Sequence, residues 1–257
     1  MSKKTIVITG STRGLGAGLA KEFLMLGHNV VINGRSEEKT NQAVAEFQKL
    51  SPSVIGVAGS VSIEETHHKL IRQSTASFGH IDVWINNAGI PQTFKEFREI
   101  GTDEIHGIIN TNIAGLLMGT KIVVNHMLEQ GYGKIFNVEG FGSDGRTMNK
   151  LTLYGTTKRA VNYFTKSFSK EMKNTGVQVG ILSPGMVRTD FLDPPGLSDS
   201  PEDMKRFEKV YDILAEEVDV VSKFLVRRIL QSTGNYDRIE YLTKSRLAVK
   251  MLKMLFR

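Results

Sequence analysis

The chain has 257 residues, 40% hydrophobic and 23% charged, a size and balance that suit one packed α/β domain. It contains no cysteine, which excludes disulfides, zinc thiolate centres and thiol catalysis and fits a reducing compartment such as the cytoplasm. Of the net charge of +6, most sits at the end, where residues 238–257 hold six basic side chains against one acid, so no nucleic-acid partner is expected.

The first apolar run begins within a few residues of Met1, which predicts no signal or transit peptide, and no run reads as long enough to span a bilayer. Short β-branched runs then alternate with longer amphipathic ones. Strands are expected at 5–8, 29–32, 54–57, 82–85, 134–138 and 177–182, and helices at 14–26, 36–50, 62–78, 102–130 and 152–174. Near-continuous apolar strands mean burial on both faces. The pattern predicts one doubly wound, Rossmann-type α/β domain over 1–257, a parallel sheet of about seven strands with helices on both faces. Asp193-Pro194-Pro195-Gly196 reads as a loop inside it.

Thr9-Gly10-Ser11-Thr12-Arg13-Gly14-Leu15-Gly16 follows the first strand and opens a helix. Glycines let the backbone turn tightly and approach a pyrophosphate, which the helix N-terminus attracts. The second strand ends in Asn33-Gly34-Arg35. An NAD site usually carries a carboxylate at this point for the ribose 2′-hydroxyl. A guanidinium at Arg35, with Arg13 in the turn, suits a 2′-phosphate instead, so NADP(H) is the expected cofactor; the plain alternative is two solvated arginines.

Further along, Tyr154 and Lys158 stand four residues apart in a helical run and share a face. A cation beside a phenol favours the phenolate and readies it for proton transfer near neutral pH. Six histidines, at 28, 67, 68, 80, 106 and 126, show no zinc spacing, and no metal site is expected.

These marks, with Asn86-Asn87-Ala88-Gly89, Asn112 and Pro184-Gly185, occur in an order that resembles the short-chain dehydrogenase/reductase family over about 5–190. The resemblance implies NADP-dependent oxidoreduction at CH–OH/C=O groups of a small-molecule carbonyl or alcohol. It implies cofactor contacts from Gly10, Ser11, Thr12, Arg13, Gly14, Leu15, Gly16, Arg35, Ser60, Val61, Asn87, Ala88 and Gly89, and from Tyr154, Lys158, Pro184, Gly185, Val187 and Thr189. Lys158 would bond the nicotinamide ribose and lower the Tyr154 pKa, and Asn112 would hold a water relaying protons to it. Ser60 stands where the family has an Asp. A homodimer through the helices near 102–130 and 152–174 is implied as well. The stretch Phe136-Asn137-Val138-Glu139-Gly140-Phe141-Gly142-Ser143-Asp144-Gly145, with Ser183-Pro184-Gly185-Met186-Val187 and Ile213-Leu214-Ala215-Glu216, is similar to plant chlorophyll b reductases. Those reduce a formyl group on a large macrocycle and carry a plastid-targeting extension; a plastid address would apply here only if one had been removed.

The pattern breaks at Gly140, where most of the family has a serine that holds the substrate oxygen. Losing one preorganised donor costs about 10²–10³ in rate. Ser143 reaching in, Tyr154 acting as sole donor, and a weak catalyst are the three explanations. Residues 190–214 would form a substrate lid, with Phe191, Leu192, Met204, Phe207 and Tyr211 giving it an apolar lining. In a C-terminal helix over 244–257, Arg246, Lys250, Lys253 and Arg257 make a basic stripe opposite Leu247, Met251, Leu252, Met254, Leu255 and Phe256. The stripe suits peripheral contact with an anionic membrane, or docking on the domain. The functions consistent with all this are a reductase of a bulky apolar formyl or keto compound, a general 3-oxoacyl or keto reductase, and a weakly catalytic NADP-binding module.

Overall fold

The computed structural model describes residues 2–191 and 200–255; side chains at 203, 206 and 251–255 are outside it. The expected lid residue Leu192 and the loop 193–196 lie outside the described residues, as do the side chains of Met251, Leu252, Lys253, Met254 and Leu255, and Phe256 and Arg257.

Strands β1 (Thr5–Ile8), β2 (Asn29–Gly34), β3 (Val54–Ala58), β4 (Val83–Asn86), β5 (Gly133–Val138), β6 (Val177–Ser183) and β7 (Arg238–Glu240) form one sheet in the order β3-β2-β1-β4-β5-β6-β7. Every pairing is parallel, with Val7 opposite Val31 on one side and Trp84 on the other. Along β1 the side chains alternate between two cores. Ile6 and Ile8 pack toward α1 (Gly14–Met25), α2 (Glu37–Gln48) and α8 (Val218–Gln231), meeting Leu19, Phe23, Val221 and Leu225. Val7 and Trp84 pack toward α3 (Glu64–Phe78), α5 (Leu116–Gln130) and α6 (Thr152–Glu171), meeting Leu70, Val123, Met127 and Phe168. The chain reverses its winding between β1 and β4, so a crevice opens beyond the carboxyl ends of those strands, where such sheets bind ligands.

The helix expected over 102–130 is divided. α4 (Thr102–Ile109) passes into a π-helical segment, Asn110–Gly115, before α5. Such wide turns are frequent at functional sites. This stretch is in fact apolar and long enough to cross a bilayer by composition, which amends the sequence reading, yet half of its most apolar 18-residue part is buried inside the domain. Ile108, Leu116, Val123 and Met127 are core residues, so it is a core helix.

The remaining elements are α7 (Pro201–Leu214) and α9 (Lys244–Leu255). Of the basic stripe on α9, the two described side chains, Arg246 and Lys250, turn onto the domain. The Arg246 guanidinium lies over the rings of Tyr241 and Phe224, 4.3 and 4.5 Å from their centroids, and donates to the Tyr241 carbonyl. Lys250 pairs with Glu216 at 3.1 Å and donates to the carbonyls of Leu214 and Ala215 at the end of α7. Two of the four cations expected to face a membrane are thus spent on the domain, while Val249 is exposed. Cation–π contacts and the capping of α7 carbonyls explain the docked orientation.

Candidate active site

The glycine turn is held from behind by Thr9, Ser11, Asn33 and Asn87. Thr9 Oγ1 accepts from the backbone N–H groups of Asn87 and Ala88, both at 3.1 Å. Asn87 returns its amide N–H to the carbonyls of Thr9 (3.0 Å) and Gly10 (2.9 Å). The buried Asn33 accepts from the Gly10 N–H and donates to the carbonyls of Val57 and Gly59, tying the turn to β3. Ser11 Oγ donates to the Ile8 carbonyl and accepts from the Asn33 N–H. Gly10 has φ +61°, and a Cβ there would stand 2.7 Å from the Ala88 Cα. Arg13, the N-cap of α1, is extended and gives no side-chain cap, which leaves the first-turn N–H groups of that helix available to an anion.

At the end of β2, a Cβ on Gly34 would lie 2.5 Å from the Thr12 methyl and 2.7 Å from Thr40 Oγ1. A carboxylate side chain therefore has no room at that position. Arg35 and Arg13 are exposed, the latter 3.5 Å from Asp190. Ser60 bonds Ser62, and the Val61 carbonyl contacts Nε2 of the buried His67 at 2.7 Å. The loop after β6 closes over the turn. Pro184 is buried, Gly185 has φ +74°, and the Thr189 methyl lies 3.5 Å from where a Gly14 Cβ would be. Val187 bridges to Glu216, which couples this loop to the end of α7.

Tyr154 and Lys158 reach the crevice from α6. The Gln92 side chain accepts from the Tyr154 N–H at 2.7 Å and donates to the Lys150 carbonyl, so a residue from the β4 loop caps the helix start. The close approach of Gly142 to Gly155 packs the 139–145 loop on the same turn. Lys158 Nζ donates to the Val138 carbonyl at 3.1 Å and stands 5.6 Å from the centre of the Tyr154 ring. Asn112, presented by the π segment, accepts from the Ile90 N–H (2.9 Å) and donates to its carbonyl (3.0 Å). That side chain is therefore a strut between the β4 loop and α5. Beneath lies a buried polar ladder: Trp84 donates to Asn86, Asn86 to Thr120 and Asn137, and Asn137 to Thr165. Every amide in it is paired, which fixes the ends of β4 and β5.

Electrostatics depart from the expectation at one point. Burial pushes the Tyr154 phenol up, not down. Desolvation of the phenolate dominates, and the Lys158 ammonium directs its proton at the Val138 carbonyl. Burial also lowers Lys158, to about 8, against an opposing pull from Glu139.

The missing serine has a steric counterpart. A Cβ on Gly140 would lie 2.5 Å from the Tyr154 hydroxyl and 3.3 Å from its Cζ. The phenol occupies the space that a side chain at 140 needs. Ser143 is buried beside it in sequence; its N–H donates to the Gly140 carbonyl at 3.2 Å and its own carbonyl accepts from Arg159. Gly140→Ser should displace the phenol and lower turnover about 10²-fold instead of restoring a family feature. A rise in kcat for that variant would contradict this packing.

The edge of the expected lid meets the site. Phe191 lies 6.0 Å from the Tyr154 ring, centroid to centroid, and Phe207 stacks on Tyr211, over which Arg188 sits at 5.1 Å.

The sequence matches the family described as short chain dehydrogenase over residues 4–196. It is 38% identical to chlorophyll(ide) b reductase NOL, chloroplastic, of Arabidopsis thaliana, over 87% of this chain and 64% of that protein. It is 34% identical to the probable chlorophyll(ide) b reductase NYC1, chloroplastic, of Oryza sativa subsp. japonica, over 97% of this chain and 52% of that one. The chain thus spans about half to two thirds of the length of these relatives. A diacetyl reductase ((S)-acetoin forming) of Staphylococcus epidermidis is 30% identical over 74% of each chain. Among solved structures, gluconate 5-dehydrogenase from Burkholderia cenocepacia J2315 in complex with NADP and tartrate superposes with a TM-score of 0.78 at 26% identity, over 93% of this chain and 94% of that one. A tyrosine-to-phenylalanine variant of ElxO with NADPH bound gives 0.80 at 25%, over 96% of this chain and all of the other. With the glycine turn, the tyrosine–lysine face and the reversed sheet all in place, this chain belongs to the short-chain dehydrogenase family.

Proposed function

We propose that the chain is an NADPH-dependent carbonyl reductase whose substrate is a bulky apolar formyl or keto compound of the chlorophyll b class. The observation that carries the reading is the seating of the Tyr154 hydroxyl against Gly140, backed by the Lys158 ammonium, at the carboxyl end of β5 beside the glycine turn. The residues present fit the cofactor: the close Gly10–Ala88 approach keeps the turn thin, the α1 N-terminus is uncapped, and Gly34 excludes a carboxylate while Arg13 and Arg35 stand exposed nearby. NADPH, when bound, supplies the hydride. Tyr154 then donates its proton to the carbonyl oxygen, and Lys158 provides the positive charge that offsets the phenolate. Ser60, Val61, Asn87, Gly89, Val187 and Thr189 would hold the cofactor, Asn112 steadies the loop carrying Gly89, and Ser143 supports the backbone at Gly140.

Likeness to the two plant reductases and the partly buried aromatics Phe191, Phe207 and Tyr211 support a large substrate. The diacetyl reductase relative supports a second reading, a small-ketone reductase. NADPH oxidation measured against chlorophyll b, chlorophyllide b, diacetyl and an acetoacetyl thioester separates them. Turnover highest on the tetrapyrroles is the expected result; turnover on diacetyl alone establishes the second reading, and none on any carbonyl removes both. In the same reading two copies pair through α5 and α6, on which Leu117, Leu128 and Tyr163 are exposed. Sedimentation velocity should give a dimer mass, and a monomer at all concentrations contradicts the pairing.

A further inference from the structure

Glu139 is a carboxylate inside the protein that the mechanism above does not use. It follows β5 directly, its residue is 3% exposed, and it belongs to the segment whose preceding carbonyl, Val138, receives the Lys158 proton. Two elements hold it. From α6, Asn162 Nδ2 donates to Oε2 at 3.1 Å. From β7, Arg238 Nη1 donates to the same oxygen at 3.1 Å, and Nη2 stands 2.5 Å from Oε1. Asn162 lies four residues beyond Lys158, and Lys158 four beyond Tyr154. One face of α6 therefore carries a phenol, an ammonium and an amide in line, and the amide anchors the carboxylate.

We propose that Glu139 is a positioning residue of this site: clamped by Asn162 and Arg238, its carboxylate keeps the neighbouring buried Lys158 in the ammonium form that the proton transfer from Tyr154 requires. The proposal rests on the reductase reading for its consequence in turnover, though not for its effect on Lys158. The groups around Lys158 are few. Tyr154 and Thr157 come from its own helix, Asn112 from the π segment, and Val138 and Glu139 from the end of β5. Around Glu139 stand Asn162, Arg238, Tyr236 ahead of β7, and Glu240 at 4.0 Å from Arg238. Glu139 pulls Lys158 toward the protonated form while burial pulls the other way.

Glu139→Gln is nearly isosteric, and Arg238 is a third exposed with Glu240 nearby, so the variant retains partners. In the wild type, kcat/KM should fall as pH rises through about 8, where the buried lysine loses its proton. In Glu139→Gln that limb should move down by about one pH unit, and Glu139→Asp should bring it back. Side-chain NMR of Lys158, assigned with Lys158→Arg, should show the same displacement without any substrate. If Glu139→Gln fails to fold, Glu139→Gln/Arg238→Gln removes the guanidinium as well, and the downward shift should persist because the carboxylate is still absent. An unmoved Lys158 titration in the folded variant, or a loss of rate with the pH midpoint unchanged, overturns the proposal. Absence of carbonyl reduction by the wild type would instead strike the reductase reading and leave the NMR test standing.

Discussion

Tyr154→Phe should lower turnover by about 10²–10⁴-fold, the range that a positioned general acid contributes, while NADPH binding stays within about twofold of wild type. The separation follows from what the hydroxyl touches. It rests over the Cα of Gly140, its ring packs on Phe191, and its backbone N–H is capped by Gln92. None of these contacts belongs to the glycine turn or to the β2 end where the adenine half would lie. Phenylalanine keeps the ring and the cap and loses only the proton. Stopped-flow NADPH fluorescence for binding and absorbance at the nicotinamide band for turnover read the two quantities independently. Turnover within threefold of wild type would show that another group protonates the product oxygen.

Gly16→Ala gives the second large effect, and it runs against helix propensity. Alanine in a helix interior is favoured over glycine by roughly 0.8–1 kcal/mol, so an exposed helix would gain. Here the added methyl would stand 2.5 Å from the Gly10 carbonyl, 2.5 Å from Asn87 Nδ2 and 2.8 Å from the Ser11 Cα. Two of these belong to the backbone of the turn and cannot rotate aside. The third is the amide that bonds Thr9 and Gly10. Overpacking of this kind costs about 1–3 kcal/mol. The variant should melt several degrees lower and bind NADPH more than tenfold more weakly, because the turn must open where the pyrophosphate would rest. Calorimetry with and without NADPH reads both. A higher melting temperature with unchanged affinity would mean that the turn relaxes freely.

Much of this was legible before the structure. The six β-branched runs gave strands to within a residue or two, since a strand buried on both faces leaves an unbroken apolar signature. β7 escaped because Arg238-Ile239-Glu240 is short and mostly charged; only its pairing with Ile181–Ser183 makes it a strand. α8 was not expected, although Val221, Leu225 and Ile229 at four-residue spacing mark its buried face. The π segment at Asn112 leaves no trace in periodicity, because one extra residue shifts the pattern without breaking it. Among site residues, the glycines and the Tyr154/Lys158 face were readable from spacing. Asn33, Gln92, Asn162 and Arg238 were not, since each acts across 22 or more residues of sequence and only the sheet order brings them to their partners. The basic stripe of α9 was readable as a stripe, while its direction was not: a helical wheel cannot say that Phe224, Tyr241 and Glu216 wait on the domain side.

The most direct test is a crystal structure with NADP⁺ and a bound carbonyl analogue. The account places the Tyr154 hydroxyl within roughly 3 Å of the analogue's oxygen on the nicotinamide side, with the 2′-phosphate held by Arg13 and Arg35. A cofactor seated elsewhere, or a Tyr154 hydroxyl still turned onto Gly140 with the carbonyl out of its reach, would contradict it.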